Sequence, residues 1–171
     1  MFEKYQKSTM FVSLNETRIY MEEFKNINDV LDFAIQSEQD AVDFYTTLSN
    51  SSTNTEMADI FRQFAKEEMG HKARLTRIKE QGIFNIQIEN VPNLKIAEFL
   101  VELKATPGMS YQDALILAMH REKAAFKLYL KLADNAPDPN LREVFYGLAL
   151  EESKHKLRFE LEYDEFILKE N

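Results

Sequence analysis

The chain has 171 residues, no cysteine, only 4 glycines and 4 prolines, and a formal net charge of −8, with 44% apolar and 29% charged residues. That length supports one domain with its own core, and so few turn formers favour long helices over a turn-rich β fold or disorder. The acidic balance, with no compact Lys/Arg cluster, argues against nucleic acid and anionic lipid as partners; the absence of cysteine removes disulfides, thiolate chemistry and cysteine-ligated zinc or iron from this chain.

Residues 1–27 match nothing later in the chain. The first twenty lack the basic start and continuous apolar stretch of a signal peptide, and no apolar run approaches membrane-spanning length. A soluble, cytoplasmic protein is expected. Phe2, Phe11, Leu14, Ile19 and Tyr20 make the segment apolar enough to dock on the rest of the chain or on a neighbouring subunit, and residues 28–171 form the domain proper.

Four stretches then carry apolar residues at alternating three- and four-residue steps, the seam of a helix packed in a bundle. The first, roughly 28–49, runs Leu31, Ala34, Glu38, Ala41, Tyr45, Leu48, and one glutamate interrupts it. The second, roughly 54–81, runs Met57, Phe61, Phe64, Glu68, His71, Leu75, Ile78, and here a glutamate and a histidine interrupt. A joint from 82 to 107 follows, with Pro92 and an apolar strip Ile96, Phe99, Leu100, Leu103 that can hold a short helix. It is long enough to carry the chain back along a bundle. The third stretch, roughly 110–134, opens on Ser110 with Asp113 three places on, a capping-box spacing, and runs Ala114, Ala118, Glu122, Ala125, Tyr129, Leu132. The fourth, roughly 139–168, runs Leu141, Phe145, Leu148, Glu152, His155, Phe159. Short polar connections at 50–53 and 135–139 predict two antiparallel hairpins.

The halves repeat. Glu38 and Glu122, Glu68 and Glu152, His71 and His155, Tyr45 and Tyr129, and Arg74 and Arg158 are each 84 positions apart. One hairpin thus reads as duplicated, and a site on the resulting pseudo-two-fold axis would draw equal ligands from each half.

Glu68 and His71, like Glu152 and His155, form a Glu-x-x-His step that puts carboxylate and imidazole on one helix face. A lone Glu-x-x-His is common on surface helices, but all six polar interruptions fall where the seam assigns the core. Four buried carboxylates without partners would cost several kcal/mol each. Two divalent cations balance four carboxylates, and two neutral imidazoles complete the shell without adding charge. The expected metal ligands are therefore Glu38, Glu68, His71, Glu122, Glu152 and His155. Tyr45 and Tyr129, two turns beyond Glu38 and Glu122, are expected to support a ligating carboxylate through their hydroxyls. Glu67 and Glu151 lie one step off the seam and read as surface or supporting carboxylates; His120 pairs with Gln36 in the repeat and stays outside the site.

The segments AIQSEQDAVDFY, FAKEEMGHKARL, AMHREKAAFKLY and LALEESKHKLRFE resemble the rubrerythrin-like branch of the ferritin-like superfamily, over roughly 28–168. The resemblance implies an all-α, ferritin-like four-helix bundle of two repeated hairpins with a long crossover. It places the metal ligands on the same six residues, with Glu68 and Glu152 as bridging carboxylates. It also implies two iron ions, although carboxylate and imidazole accept manganese as well, and a non-haem oxidoreductase that reduces peroxide or dioxygen as homodimer or higher homo-oligomer. Two departures stand out. The cysteine pairs of a rubredoxin domain are absent, so electrons are expected from a separate donor protein. Rubrerythrins also tend to carry an extra ligating glutamate one turn after the third-helix glutamate, where this chain has Ala125, leaving room for a small oxidant. The same six-ligand set resembles bacterioferritins, which makes a ferroxidase or iron-storage subunit one alternative, with Met69 in the place of their haem methionine. A helical interaction protein with a vestigial site is the other.

Overall fold

The computed structural model describes Phe24, residues 26–82, 105, 106 and 108–170, with side chains as far as residue 166. These residues form α1 (Ile27–Ser51), α2 (Thr55–Glu80), α3 (Tyr111–Asp134) and α4 (Pro139–Glu170), with no strand among them. The four seams thus become four helices, as expected. The anticipated helix around 96–103 and, apart from Phe24, Asn26 and Ile27, the N-terminal segment 1–27 with its expected docking fall outside the described residues.

Each helix opens on a side chain that satisfies its first free N–H groups. Asn26 accepts from Asn28 (2.8 Å) and Asp29 (3.1 Å), and Asn54 from Glu56 (2.8 Å) and Met57 (3.3 Å). Asp138 accepts from Asn140 (2.7 Å) and Leu141 (3.1 Å), with Pro139 at the first helical position, where its missing N–H goes unneeded. Ser110 accepts from the Asp113 N–H at 3.1 Å, and its hydroxyl donates to the Asp113 carboxylate at 2.7 Å. The reciprocal half of the capping box is thus made between side chains. α2 stops at Gly82, whose φ of 58° is left-handed and whose N–H reaches the Lys79 carbonyl at 3.0 Å.

Helix directions follow from the contacts. α1 and α2, and α3 and α4, pack as hairpins. Tyr45 on α1 donates to Glu122 on α3 while Tyr129 on α3 donates to Glu38 on α1, so these two run antiparallel. On the opposite side, Glu67 meets Arg158 and Arg74 lies against Gly147, so α2 and α4 are antiparallel too. α2 must then run parallel to α3 across the diagonal. α2 therefore ends and α3 begins at opposite ends of the bundle, and the 26 residues of α2 span about 39 Å. These helix directions are those of the ferritin-like arrangement.

Two apolar layers flank the middle of the bundle. One is largely aliphatic, with Leu31, Leu75, Leu128, Leu132, Leu141 and Leu148. The other is aromatic: Phe61, Phe64, Phe159 and Tyr45 crowd together, with the Phe64 and Phe159 rings stacked at 3.9 Å. Between these layers the seam carries its only buried charged side chains among the described residues, Glu38, Glu68, His71, Glu122, Glu152 and His155.

Candidate metal centre

All six are 9% exposed or less, and they converge from four helices. Their ligand atoms form two overlapping groups, each within 4.8 Å: Glu38, Glu68, His71 and Glu152, and Glu68, Glu122, Glu152 and His155. Glu68 and Glu152 belong to both. Glu68 turns Oε2 toward His71 Nδ1 (3.2 Å) and Oε1 toward His155 Nδ1 (3.0 Å). Glu152 does likewise, with Oε1 at 3.1 Å from His71 Nδ1 and Oε2 at 3.4 Å from His155 Nδ1. Glu38 and Glu122 each approach a single histidine, at 3.6 Å. Two shared carboxylates, two single carboxylates and two imidazoles make a dinuclear pattern.

Burial and mutual proximity set the electrostatics of the cluster. Burial alone would lower the His155 pKa, yet the carboxylates of Glu122, Glu152 and Glu68 outweigh it and push the value up to about 12. His71 shifts upward for the same reason, through Glu152, Glu38 and Glu68. Burial raises Glu38 to about 7, and burial with the charges of Glu68 and Glu122 pushes Glu152 up strongly. Glu68 goes the other way: burial opposes ionisation, but the two histidines beside it hold its carboxyl below the usual range. Without a metal, then, protons must take the place of cations.

The donor atoms also fit metal ions better than they fit one another. Glu68 Oε1 and His155 Nδ1 lie 3.0 Å apart, yet neither makes an aligned hydrogen bond, nor do Glu122 Oε2 and Glu152 Oε1. Buried polar atoms are rarely left so. Within each group the ligand atoms lie inside 4.8 Å of one another, a spacing that suits a cation held by several ligands.

Tyr45 and Tyr129 reach carboxylates across the bundle: Tyr45 donates to Glu122 and Tyr129 to Glu38. Burial and the neighbouring carboxylates raise both phenols well above their ordinary value, so each hydroxyl keeps its proton and donates it. Tyr129→Phe should leave a Glu38 oxygen without its donor and cost about 1.5–3 kcal/mol. Urea unfolding of the metal-stripped protein measures this; an unchanged midpoint would remove the hydroxyl from the account.

Glu67 and Glu151, though partly exposed, each turn one oxygen toward a histidine of the cluster. Glu67 Oε2 lies 3.0 Å from His155 Nε2, and Glu151 Oε2 lies 3.0 Å from His71 Nε2. Glu67 is hydrogen-bonded to His155 Nε2, and Glu151 stands at the same distance from His71 Nε2, so that each Nδ1 faces the cluster. The repeat had already paired these glutamates; the missing signal was which helices face each other. His120 is exposed, as is Met69 at 52%. No helix among the described residues is long and apolar enough to cross a membrane.

An antiparallel helical bundle with a central Glu/His cluster of this form could hold metal ions among its carboxylates and imidazoles. The rubrerythrin family model matches residues 29–163, and the chain belongs to the rubrerythrin family. No curated protein and no solved structure matches it.

Proposed function

We propose that the protein is a non-haem di-iron oxidoreductase that reduces peroxide or dioxygen. The observation that carries this reading is the pair of overlapping ligand groups with Glu68 and Glu152 in common. Glu38 and His71 would hold one ion, Glu122 and His155 the other, and Glu68 and Glu152 would bridge them. Bound iron would supply one-electron redox chemistry and a Lewis-acid position for a small oxidant.

The rest falls to the chain's own residues. Tyr45 and Tyr129 orient the single carboxylates, Glu67 and Glu151 orient the imidazoles, and the stacked Phe64 and Phe159 keep water from one side of the cluster. Ala41 and Ala125, one turn beyond Glu38 and Glu122, keep bulk away from the single carboxylates. Electrons would come from a separate donor protein. Tyr146, Leu150, Leu157 and Leu161 form an exposed apolar row along α4, which supports self-association into a homodimer or larger assembly.

Metal analysis of the purified chain, followed by spectroscopy through a cycle of reductant and peroxide, tests the proposal. Two irons per chain and an oxidised absorption band that decays with reductant and returns with peroxide are expected. A folded, metal-replete sample holding less than about one ion per chain would contradict it. Iron oxidised and retained as mineral inside a large shell would point instead to storage.

A further inference from the structure

The two halves of the chain match at every ligand, yet they differ in what holds the carboxylate behind each histidine. Behind His155, Glu67 is restrained by three hydrogen bonds from two side chains. Arg158 Nη1 donates to both of its oxygens (2.9 and 2.8 Å), and the Gln63 side-chain amide donates to Oε1 at 3.0 Å. The Arg158 guanidinium itself rests 4.2 Å over the Phe64 ring, and Phe64 meets His155 edge-on at 5.2 Å.

Behind His71, each of those supports has changed. The residue 84 places after Gln63 is Gly147, which has no side chain to donate, and the residue 84 places after Phe64 is Leu148, which offers no ring face. Arg74, the counterpart of Arg158, lies where a β-carbon on Gly147 would meet its Nη2 at 3.6 Å, and its Nη1 stays 3.9 Å from Glu151 Oε2. Glu151 is thus beyond hydrogen-bond reach of the arginine that should hold it.

We infer that Glu67 and Glu151 are positioning residues for the opposite half's histidines, and that their unequal restraint makes the metal position at His155 bind more tightly than the one at His71. This rests on the two-metal reading above. A carboxylate that fixes a ligand histidine's tautomer and ring orientation contributes about 10- to 100-fold to metal affinity. Glu151 must give up its own rotamer freedom to act in this way, which corresponds to about tenfold. Arg158 also draws charge from Glu67 and so weakens its push on the imidazole, an effect of opposite sign. Glu67 is about a third exposed, so solvent screens that loss and the restraint prevails.

Cobalt(II) added to the metal-stripped full chain tests this, because a cobalt-bound histidine gives a separate, strongly shifted ring N–H resonance. At one equivalent, one such resonance should dominate. Glu67→Gln should displace it and weaken the first binding step by about 10- to 100-fold in competition with a chelator. Glu151→Gln should affect only the second resonance and the second step. Both variants keep the side chain's shape, and circular dichroism checks the fold. Gly147→Gln, which restores the missing donor with an ordinary contact to Arg74, should narrow the gap between the steps. Equal resonances at one equivalent, or a dominant resonance that answers to Glu151→Gln, would overturn the inference while leaving two-metal binding intact. A folded chain that retains no cobalt would sink the metal reading itself.

Discussion

Glu68→Ala should take the protein from two bound metal ions per chain to none at ordinary metal concentrations, and Glu152→Ala should do the same. Each carboxylate offers one oxygen to the His71 group and the other to the His155 group, so a single truncation removes a ligand from both positions. It also takes one of the four negative charges that balance two divalent cations. Glu67→Ala, one residue away, should keep both ions at saturating metal, because Glu67 reaches the centre only through the His155 ring. Metal analysis after desalting separates the two outcomes. Equal loss from Glu67→Ala and Glu68→Ala would show that the bridging assignment is wrong.

The second large effect is on stability and its dependence on pH. In the metal-stripped protein, Glu38 is raised to about 7 and His155 to about 12, with His71 raised as well. Each of these groups binds more proton in the folded state than in the unfolded chain, over the window between its two pKa values. Stability from such a group is present below the unfolded value and is lost as pH rises through the folded one. The loss begins near 4.5 for Glu38 and near 6.5 for the histidines, and each histidine can remove up to about 1.4 kcal/mol per pH unit. Glu68, whose pKa is depressed, acts only below the usual carboxylate range and leaves this window alone. Metal ions replace those protons, so the loaded protein escapes the loss, and its affinity for metal grows as the competing protons leave. The difference in melting temperature between loaded and chelator-stripped protein should therefore widen steadily from pH 6 to pH 8.5. Calorimetry at three pH values is sufficient, and a constant or shrinking difference would count against the proton-for-metal exchange.

Much of this centre was legible before any coordinates. Glu38, Glu68, His71, Glu122, Glu152 and His155 stood out because helical periodicity puts them in line with Leu31, Phe61 and Phe145, and burial follows from periodicity alone. What stayed hidden depends on which helices face each other. Tyr45 lies seven residues from Glu38, about 10 Å along the same helix and beyond the reach of its hydroxyl; it serves Glu122 instead, across the bundle. The roles of Glu67 and Glu151 depend in the same way on α2 lying against α4, a juxtaposition that the connectivity of two hairpins leaves open. The 84-residue offset pairs Arg74 with Arg158 in sequence, yet in the fold Arg158 lies over Phe64 and grips Glu67, whereas Arg74 lies against Gly147 and stays 3.9 Å from Glu151.

The crossed pairs carry one more consequence. Each histidine belongs to one hairpin, while the carboxylate behind it and one bridging carboxylate belong to the other. A hairpin alone could offer only half of this arrangement, and two separate copies would have to find each other before any ion could be shared. The segment that joins α2 to α3 turns that encounter into an intramolecular one, so that the second half is present at a high effective concentration however dilute the protein becomes.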